Sequence, residues 1–258
     1  MQAFDSLSRN IQQYIYDKGW PSLTRIQNAA IKQVANTDHN LILSAPTASG
    51  KTEAAFIPAL NSVEDWDTGL KVLYISPLKA LINDQFQRIS ELSEYLDIPI
   101  TRWHGEVSQT QKRKVVNQPK GILLITPESI EGMLVNRPGE AEHLFKGVEW
   151  IIIDELDSFL GTERGIHLQS LLQRISRFMQ APRFIAMSAT LNKKDFGYAK
   201  AFFGSPRHTD ILVDRDKNDL FITIDYTSGE AGPFVARESL EAIYRYSKTE
   251  TMLIFPNS

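Results

Sequence analysis

Two textures alternate along the chain: short unbroken apolar runs, and longer stretches in which apolar residues return every three or four positions. The unbroken runs lie at residues 41–43, 72–75, 122–125, 150–153 and 184–187. They are rich in Ile, Leu and Val and lack polar alternation, which predicts strands covered on both faces. Leu78, Leu81, Ile82, Phe86, Ile89 and Leu92 follow helical spacing, as do Leu168, Leu171, Leu172, Ile175, Phe178 and Met179. Strand–helix alternation predicts an α/β fold with right-handed crossovers and a mostly parallel sheet. Residues 5–34 read as two helices separated by Gly19-Trp20-Pro21-Ser22, because Pro21 disfavours helix at Trp20.

The texture changes after Phe203. Gly204-Ser205-Pro206 is a breaker, and Asp214-Arg215-Asp216-Lys217-Asn218-Asp219 is polar and charged. A boundary between them gives a main lobe over residues 1–210 and a tail over 211–258. The tail pattern predicts a strand at 221–225, a loop with Gly229 and Gly232, a helix at 235–246 and a strand at 252–255. It is too short for an independent α/β domain.

Composition narrows the function classes. The 258 residues carry 28 basic and 31 acidic side chains, a formal charge of −3, so a nucleic-acid site has to be a local patch rather than a basic coat. With 42% hydrophobic and 23% charged residues the chain has material for a globular core. There is no cysteine, which removes disulfides, thiolate zinc sites and cysteine nucleophiles. The N-terminus lacks the basic start and apolar stretch of a signal peptide, and no apolar run reaches a membrane span. The expectation is a soluble, cytoplasmic protein with no membrane partner.

The strongest chemical signal is Ala45-Pro46-Thr47-Ala48-Ser49-Gly50-Lys51-Thr52, placed between an apolar strand and a helix. A phosphate loop needs this context: the turn points backbone N–H groups inward and the helix N-terminus adds partial positive charge. Lys51 can reach the β- and γ-phosphates of ATP, and the Thr52 hydroxyl can ligate Mg²⁺. Ala45 stands where such loops usually carry their first glycine, and it requires a negative φ there. The second signal, Asp154-Glu155-Leu156-Asp157, directly follows a buried strand, where α/β proteins bind ligands. Asp154 would hold Mg²⁺, through water, and Glu155 would position and deprotonate an attacking water.

Taken together these motifs resemble those of superfamily two DEAD/DEAH-box helicases. The loop is similar to motif I and Asp-Glu-Leu-Asp to motif II. Ser188-Ala189-Thr190 resembles motif III, Ser76-Pro77-Leu78-Lys79-Ala80-Leu81 motif Ia, and Thr126-Pro127-Glu128-Ser129 motif Ib. Residues 19–27 resemble the Q motif. All stand in the family's order over roughly residues 23–204. The stretches at 74–81 and 187–191 look most like the Lhr branch, the large DNA helicases, although Asp157 stands where that branch more typically has His.

The resemblance implies a RecA-like, mostly parallel sheet with helices on both faces and ATP with Mg²⁺ at the strands' C-terminal ends. It implies that the Gln27 amide reads adenine, and that Ser188 and Thr190, with Asp157, couple nucleotide state to the nucleic-acid side. Arg25 lies near the base or is simply solvated. Ser76, Pro77, Lys79, Thr126, Pro127 and Glu128 would contact the strand backbone, which favours single-stranded DNA and leaves RNA open. Trp103, followed by Gln111-Lys112-Arg113-Lys114, is either an aromatic platform beside a basic patch or core beside a solvated helix face. His104 has no partner at ligand spacing.

Helicases of this superfamily work with two lobes, the second supplying arginine fingers. Residues 253–258 resemble the start of that second lobe, and motifs V and VI have no match in the sequence. The expectation is a nucleotide-binding lobe that hydrolyses ATP slowly and does not unwind alone. An ATPase lobe of a restriction or defence translocase, or a nucleic-acid-binding module without turnover, are the other readings.

Overall fold

The computed structural model describes residues 3–214 and Tyr244; the tail elements expected at 221–225, 235–246 and 252–255 lie, Tyr244 apart, outside the described residues. Two helices open the chain, α1 (Arg9–Asp17) and α2 (Arg25–Asn36), then β1 (Asn40–Ser44), α3 (Lys51–Ser62), β2 (Gly69–Ile75) and α4 (Lys79–Tyr95). They are followed by β3 (Ile100–Trp103), α5 (Gln109–Asn117), β4 (Lys120–Ile125), α6 (Pro127–Asn136), α7 (Pro138–Phe145) and β5 (Trp150–Ile153). The last described elements are α8 (Glu163–Ile175), β6 (Arg183–Ser188), α9 (Phe196–Ala201) and β7 (Thr209–Val213).

The strands form one sheet in the order β3-β4-β2-β5-β6-β1-β7, and every neighbouring pair is parallel. Alternate strand residues face opposite ways. Leu41, Leu43, Val72, Tyr74, Ile152 and Met187 pack with α1 to α4 on one face. Ile42, Leu73, Ile75, Ile151, Ile153 and Ala186 pack with α6 to α9 on the other. Both faces are thereby removed from water, which is why β1, β2, β4, β5 and β6 read as continuous apolar runs.

The two edge strands carry no such run. β3 is half-buried apart from Trp103, and β7 is mostly half-buried. β7 pairs with β1, Asn40 opposite Thr209 through Ser44 opposite Val213, so a lobe boundary at residue 210 cuts through a strand. The compact unit runs to Asp216 instead, and of the second unit, Lys217–Ser258, only Tyr244 is described, exposed and helical. Among the described residues no helix is long and apolar enough to cross a membrane.

A parallel sheet delivers all its strand C-termini to one edge. The segments after β1, β2, β4, β5 and β6 therefore converge there, and these are the segments that carry the five motifs.

Candidate functional site

The phosphate loop leaves β1 at Ser44 and is tied to β6 at once, since the Ala45 N–H donates to the Ser188 carbonyl at 3.2 Å. Ala45 keeps a negative φ, and the left-handed turn falls on Ala48, at φ +60°. A non-glycine residue there costs roughly 1 kcal/mol. Gly50 follows at φ +83° and caps α3. A Cβ at Gly50 would lie 2.5 Å from Gln27 Nε2, so any larger residue there would push the Gln27 amide aside, on top of the cost of its positive φ. The first N–H groups of α3 have no partner within the helix and face the loop.

The Lys51 ammonium donates to the Ala45 carbonyl and, at 2.6 Å, to the Pro46 carbonyl. Burial pulls its pKa below the ordinary lysine value, against the opposing field of Glu155, Asp154 and Asp157. Thr52 is buried and its hydroxyl donates to Gln85 Oε1 at 3.2 Å. The Ser49 hydroxyl is buried with no partner among the described residues.

The acids sit at the end of β5, two strands from the loop with β6 between. Asp154 is 7% exposed; its carboxylate accepts from the Tyr74 hydroxyl and, at 3.0 Å, from the Glu155 N–H. Burial raises its pKa in spite of both bonds. Glu155 occupies the left-handed region at φ +48° and opens a single tight turn over Leu156–Ser158. Its pKa is raised by burial first, and then by Asp154 and Asp157. A non-glycine residue in this region carries backbone strain of the kind that collects at functional sites. Asp157 accepts from the Thr190 hydroxyl, and the Thr190 N–H donates to Ser188 Oγ at 3.3 Å. The residues expected from motifs I, II and III are thus brought to one edge and joined by hydrogen bonds.

A hydroxyl and a buried carboxylate are hard oxygen donors of the kind Mg²⁺ takes. Thr52 and Asp154 fit that ion: the burial-raised pKa of Asp154 marks a carboxylate short of positive charge. Gln27 lies closer to the loop than to open space. It forms a capping box with Thr24, whose N–H donates to Gln27 Oε1 at 2.9 Å, and its Nε2 donates to the Gly50 carbonyl at 3.4 Å. One side-chain amide therefore locks the start of α2 to the start of α3, and one N–H of that amide is left for a ligand. Arg25 is exposed.

On the other side of the strand edge several of the residues expected to contact nucleic acid are buried. Ser76 is fully buried: its N–H donates to the Ile125 carbonyl at 3.2 Å, and its hydroxyl has no partner among the described residues. Thr126 is buried and caps α6, its hydroxyl accepting from the Ser129 N–H at 3.4 Å. Pro77 and Pro127 are buried too. Trp103 is 7% exposed within β3, with the Lys112 ammonium 5.7 Å from its ring centroid, so it is core and cannot act as a stacking platform. The Lys112 run is the outer face of α5, a helix with no buried residue. Next to Trp103, His104 is buried with neither ring nitrogen bonded among the described residues, and burial lowers its pKa. Lys79 and Glu128 do reach the surface; Lys79 Nζ stands 3.3 Å from Glu106.

Sequence reasoning missed Arg164. From the first turn of α8 its guanidinium donates to the Pro77 carbonyl and to Glu128 Oε1, at 2.6 Å from Nη2 and 3.0 Å from Nε. It ties the segments resembling motifs Ia and Ib together. The next residue, Gly165, packs so closely that a Cβ there would fall 1.9 Å from the Phe159 carbonyl oxygen. A glycine inside a helical pattern signals such a close backbone approach, but it says nothing of Arg164's partners.

The fold and this edge define a phosphate-loop nucleotide-binding lobe of RecA-like type, built on a seven-stranded parallel sheet. The DEAD/DEAH box helicase family model matches residues 24–196, and the chain belongs to that family. The chain is 29% identical over 209 residues to the ATP-dependent helicase Lhr-Core of Methanocaldococcus jannaschii, covering 74% of this chain and 24% of that protein. It is 32% identical over 240 residues to the Lhr-Core helicase of Sulfolobus acidocaldarius, covering 85% of this chain and 27% of that protein. In structure it resembles Mycobacterium smegmatis helicase Lhr bound to ssDNA and AMP-PNP, with a TM-score of 0.72 and 26% identity over 83% of this chain and 28% of that one. The chain spans about a quarter of the length of these relatives.

Proposed function

We propose that this chain is the ATP-binding lobe of an Lhr-like, ATP-driven helicase that works on single-stranded nucleic acid, DNA before RNA. The observation that carries the reading is the linkage of three strand ends at one edge: the loop after β1 bonds to Ser188 at the end of β6, and Thr190 just beyond it bonds to Asp157 of the acid turn after β5, with the three acids in the field of Lys51. Lys51 leaves the Ala45 and Pro46 carbonyls for the β- and γ-phosphates. Backbone N–H groups from Thr47 to Thr52 surround the same oxygens. Thr52 and Asp154 would hold Mg²⁺, which supplies positive charge to the phosphates when bound. Glu155 accepts the proton of the attacking water, and its raised pKa makes it a stronger base than an ordinary carboxylate. Gln27 uses its remaining N–H on the adenine.

The bond from Thr190 to Asp157 links the acid turn to the end of β6, and it carries the phosphate state toward the strand-binding face. There the N-termini of α4 and α6, with Lys79, hold backbone phosphates. The single-stranded DNA in the Mycobacterium smegmatis relative supports DNA as the strand. No counterpart of the second lobe's arginine motifs is found in the 258 residues, so this polypeptide by itself is expected to bind ATP and turn it over slowly.

The test is ATP hydrolysis by the chain with and without single-stranded DNA, next to Glu155→Gln, and strand separation on a tailed duplex. Slow turnover that falls further in Glu155→Gln, with no unwinding, is expected. Robust unwinding by the chain alone refutes the half-motor reading, and turnover untouched by Glu155→Gln refutes the assigned base.

A further inference from the structure

At the opposite edge of the sheet from the phosphate loop, three metal-binding side chains meet. His39 ends the connection from α2 to β1, and His208 and Asp210 flank the first residue of β7. The pairing of Asn40 with Thr209 brings these segments side by side. His39 Nδ1 lies 2.7 Å from Asp210 Oδ2, and His208 Nε2 lies 3.2 Å from Asp210 Oδ1. The three ligand atoms all lie within 4.8 Å of one another. We propose that His39, His208 and Asp210 form a site for a divalent cation of the zinc class, separate from the nucleotide's Mg²⁺.

The donor set decides the class. Two borderline imidazole nitrogens beside one carboxylate oxygen suit Zn²⁺ and its neighbours, whereas Mg²⁺ and Ca²⁺ prefer all-oxygen sets. The carboxylate is oriented from outside the set: Gln33 Nε2 donates to Asp210 Oδ2 at 2.6 Å, the kind of supporting bond that holds a ligating carboxylate in place. The two histidine rings stand edge to face with centroids 4.8 Å apart. The His208 side chain is 59% exposed, so it has room to close on an ion and leaves a coordination position open to water. Arg183 donates to the His39 carbonyl and Arg207 pairs with Asp38 close by. Their positive charge opposes a cation, so the site binds more weakly than a four-ligand structural zinc. The ion would clip the edge strand β7 to the start of β1, and by binding the folded chain it would stabilise it.

The test uses the full chain without a histidine tag and Co²⁺ as a spectroscopic probe. One equivalent of Co²⁺ is expected to give a visible d–d band that Zn²⁺ bleaches. His208→Ala, at an exposed position that leaves the fold intact, is expected to weaken binding at least about tenfold. His143→Ala, an exposed histidine of α7, is the control and should change nothing. Zn²⁺ at about 100-fold over its dissociation constant should raise the unfolding midpoint by roughly 5–10 °C in wild type and not in His208→Ala. A chain that takes up no Co²⁺, or a His208→Ala that binds as wild type does, overturns the site and leaves a hydrogen-bonded His–Asp–His cluster.

Discussion

The two halves of the strand edge are built on different plans. Around β1, β5 and β6 the chemistry is in side chains: Lys51, Thr52, Asp154, Glu155, Asp157 and Thr190 converge, and burial shifts the pKa of Lys51, Asp154 and Glu155. Around β2, β3 and β4 the side chains that looked chemical are mostly buried within the fold. Ser76 is buried, Thr126 caps a helix and Trp103 fills the core. That half carries Lys79 exposed in the first turn of α4, and Arg164 ties the segments before α4 and α6 together. A nucleotide needs charges placed to within an ångström, whereas a nucleic-acid backbone read without regard to sequence needs N–H groups and a few cations.

Trp103→Ala gives the largest expected break in this division. Losing a buried indole costs about 3–4 kcal/mol of stability in urea unfolding, while molecules that stay folded keep their affinity for single-stranded DNA. A stacking platform would show the reverse. Arg164→Ala removes the fastener without opening the core. Single-stranded DNA affinity in anisotropy titrations should fall about fivefold, with binding of an ATP analogue within about twofold of wild type. An equal fall in both would mean that the two halves are not separable. Lys79→Ala is subtler: affinity drops alike for all sequences, and the slope of log affinity against log salt becomes shallower by about 0.7.

The smallest effect concerns the acids. The folded chain holds the protons of Asp154 and Glu155 more tightly than the unfolded chain does, so each costs stability as pH rises above the ordinary carboxylate range. Glu155→Gln should therefore stabilise the chain at pH 7. The gain is at most about 0.5 kcal/mol, because Glu155 is half-exposed, and it fades below about pH 4. A loss of stability at pH 7 would show that Glu155 is not under electrostatic strain.

The central strands and the phosphate loop were legible in the residues because burial on both faces writes an unbroken apolar run, and phosphate chemistry needs named side chains at fixed spacing. β3 and β7 were not, since an edge strand is free to mix Thr, Arg and Asp with its apolar residues. Arg164 was also invisible: its partners lie 36 and 87 residues away, and only the folded chain brings Glu128 and Pro77 to it. The roles of Ser76 and Thr126, one buried and the other a buried helix cap, were not legible for a related reason. A hydroxyl before a helix serves as a cap or a ligand, and spacing alone does not choose between them.

The most direct test of the nucleotide site is equilibrium binding of a fluorescent ATP analogue with Mg²⁺ to wild type, Lys51→Ala and Glu155→Gln. Saturable binding by wild type, on the order of 10²-fold weaker binding by Lys51→Ala, and wild-type affinity in Glu155→Gln are predicted. Equal affinity in wild type and Lys51→Ala would contradict the account, since the loop would then not be what holds the phosphates.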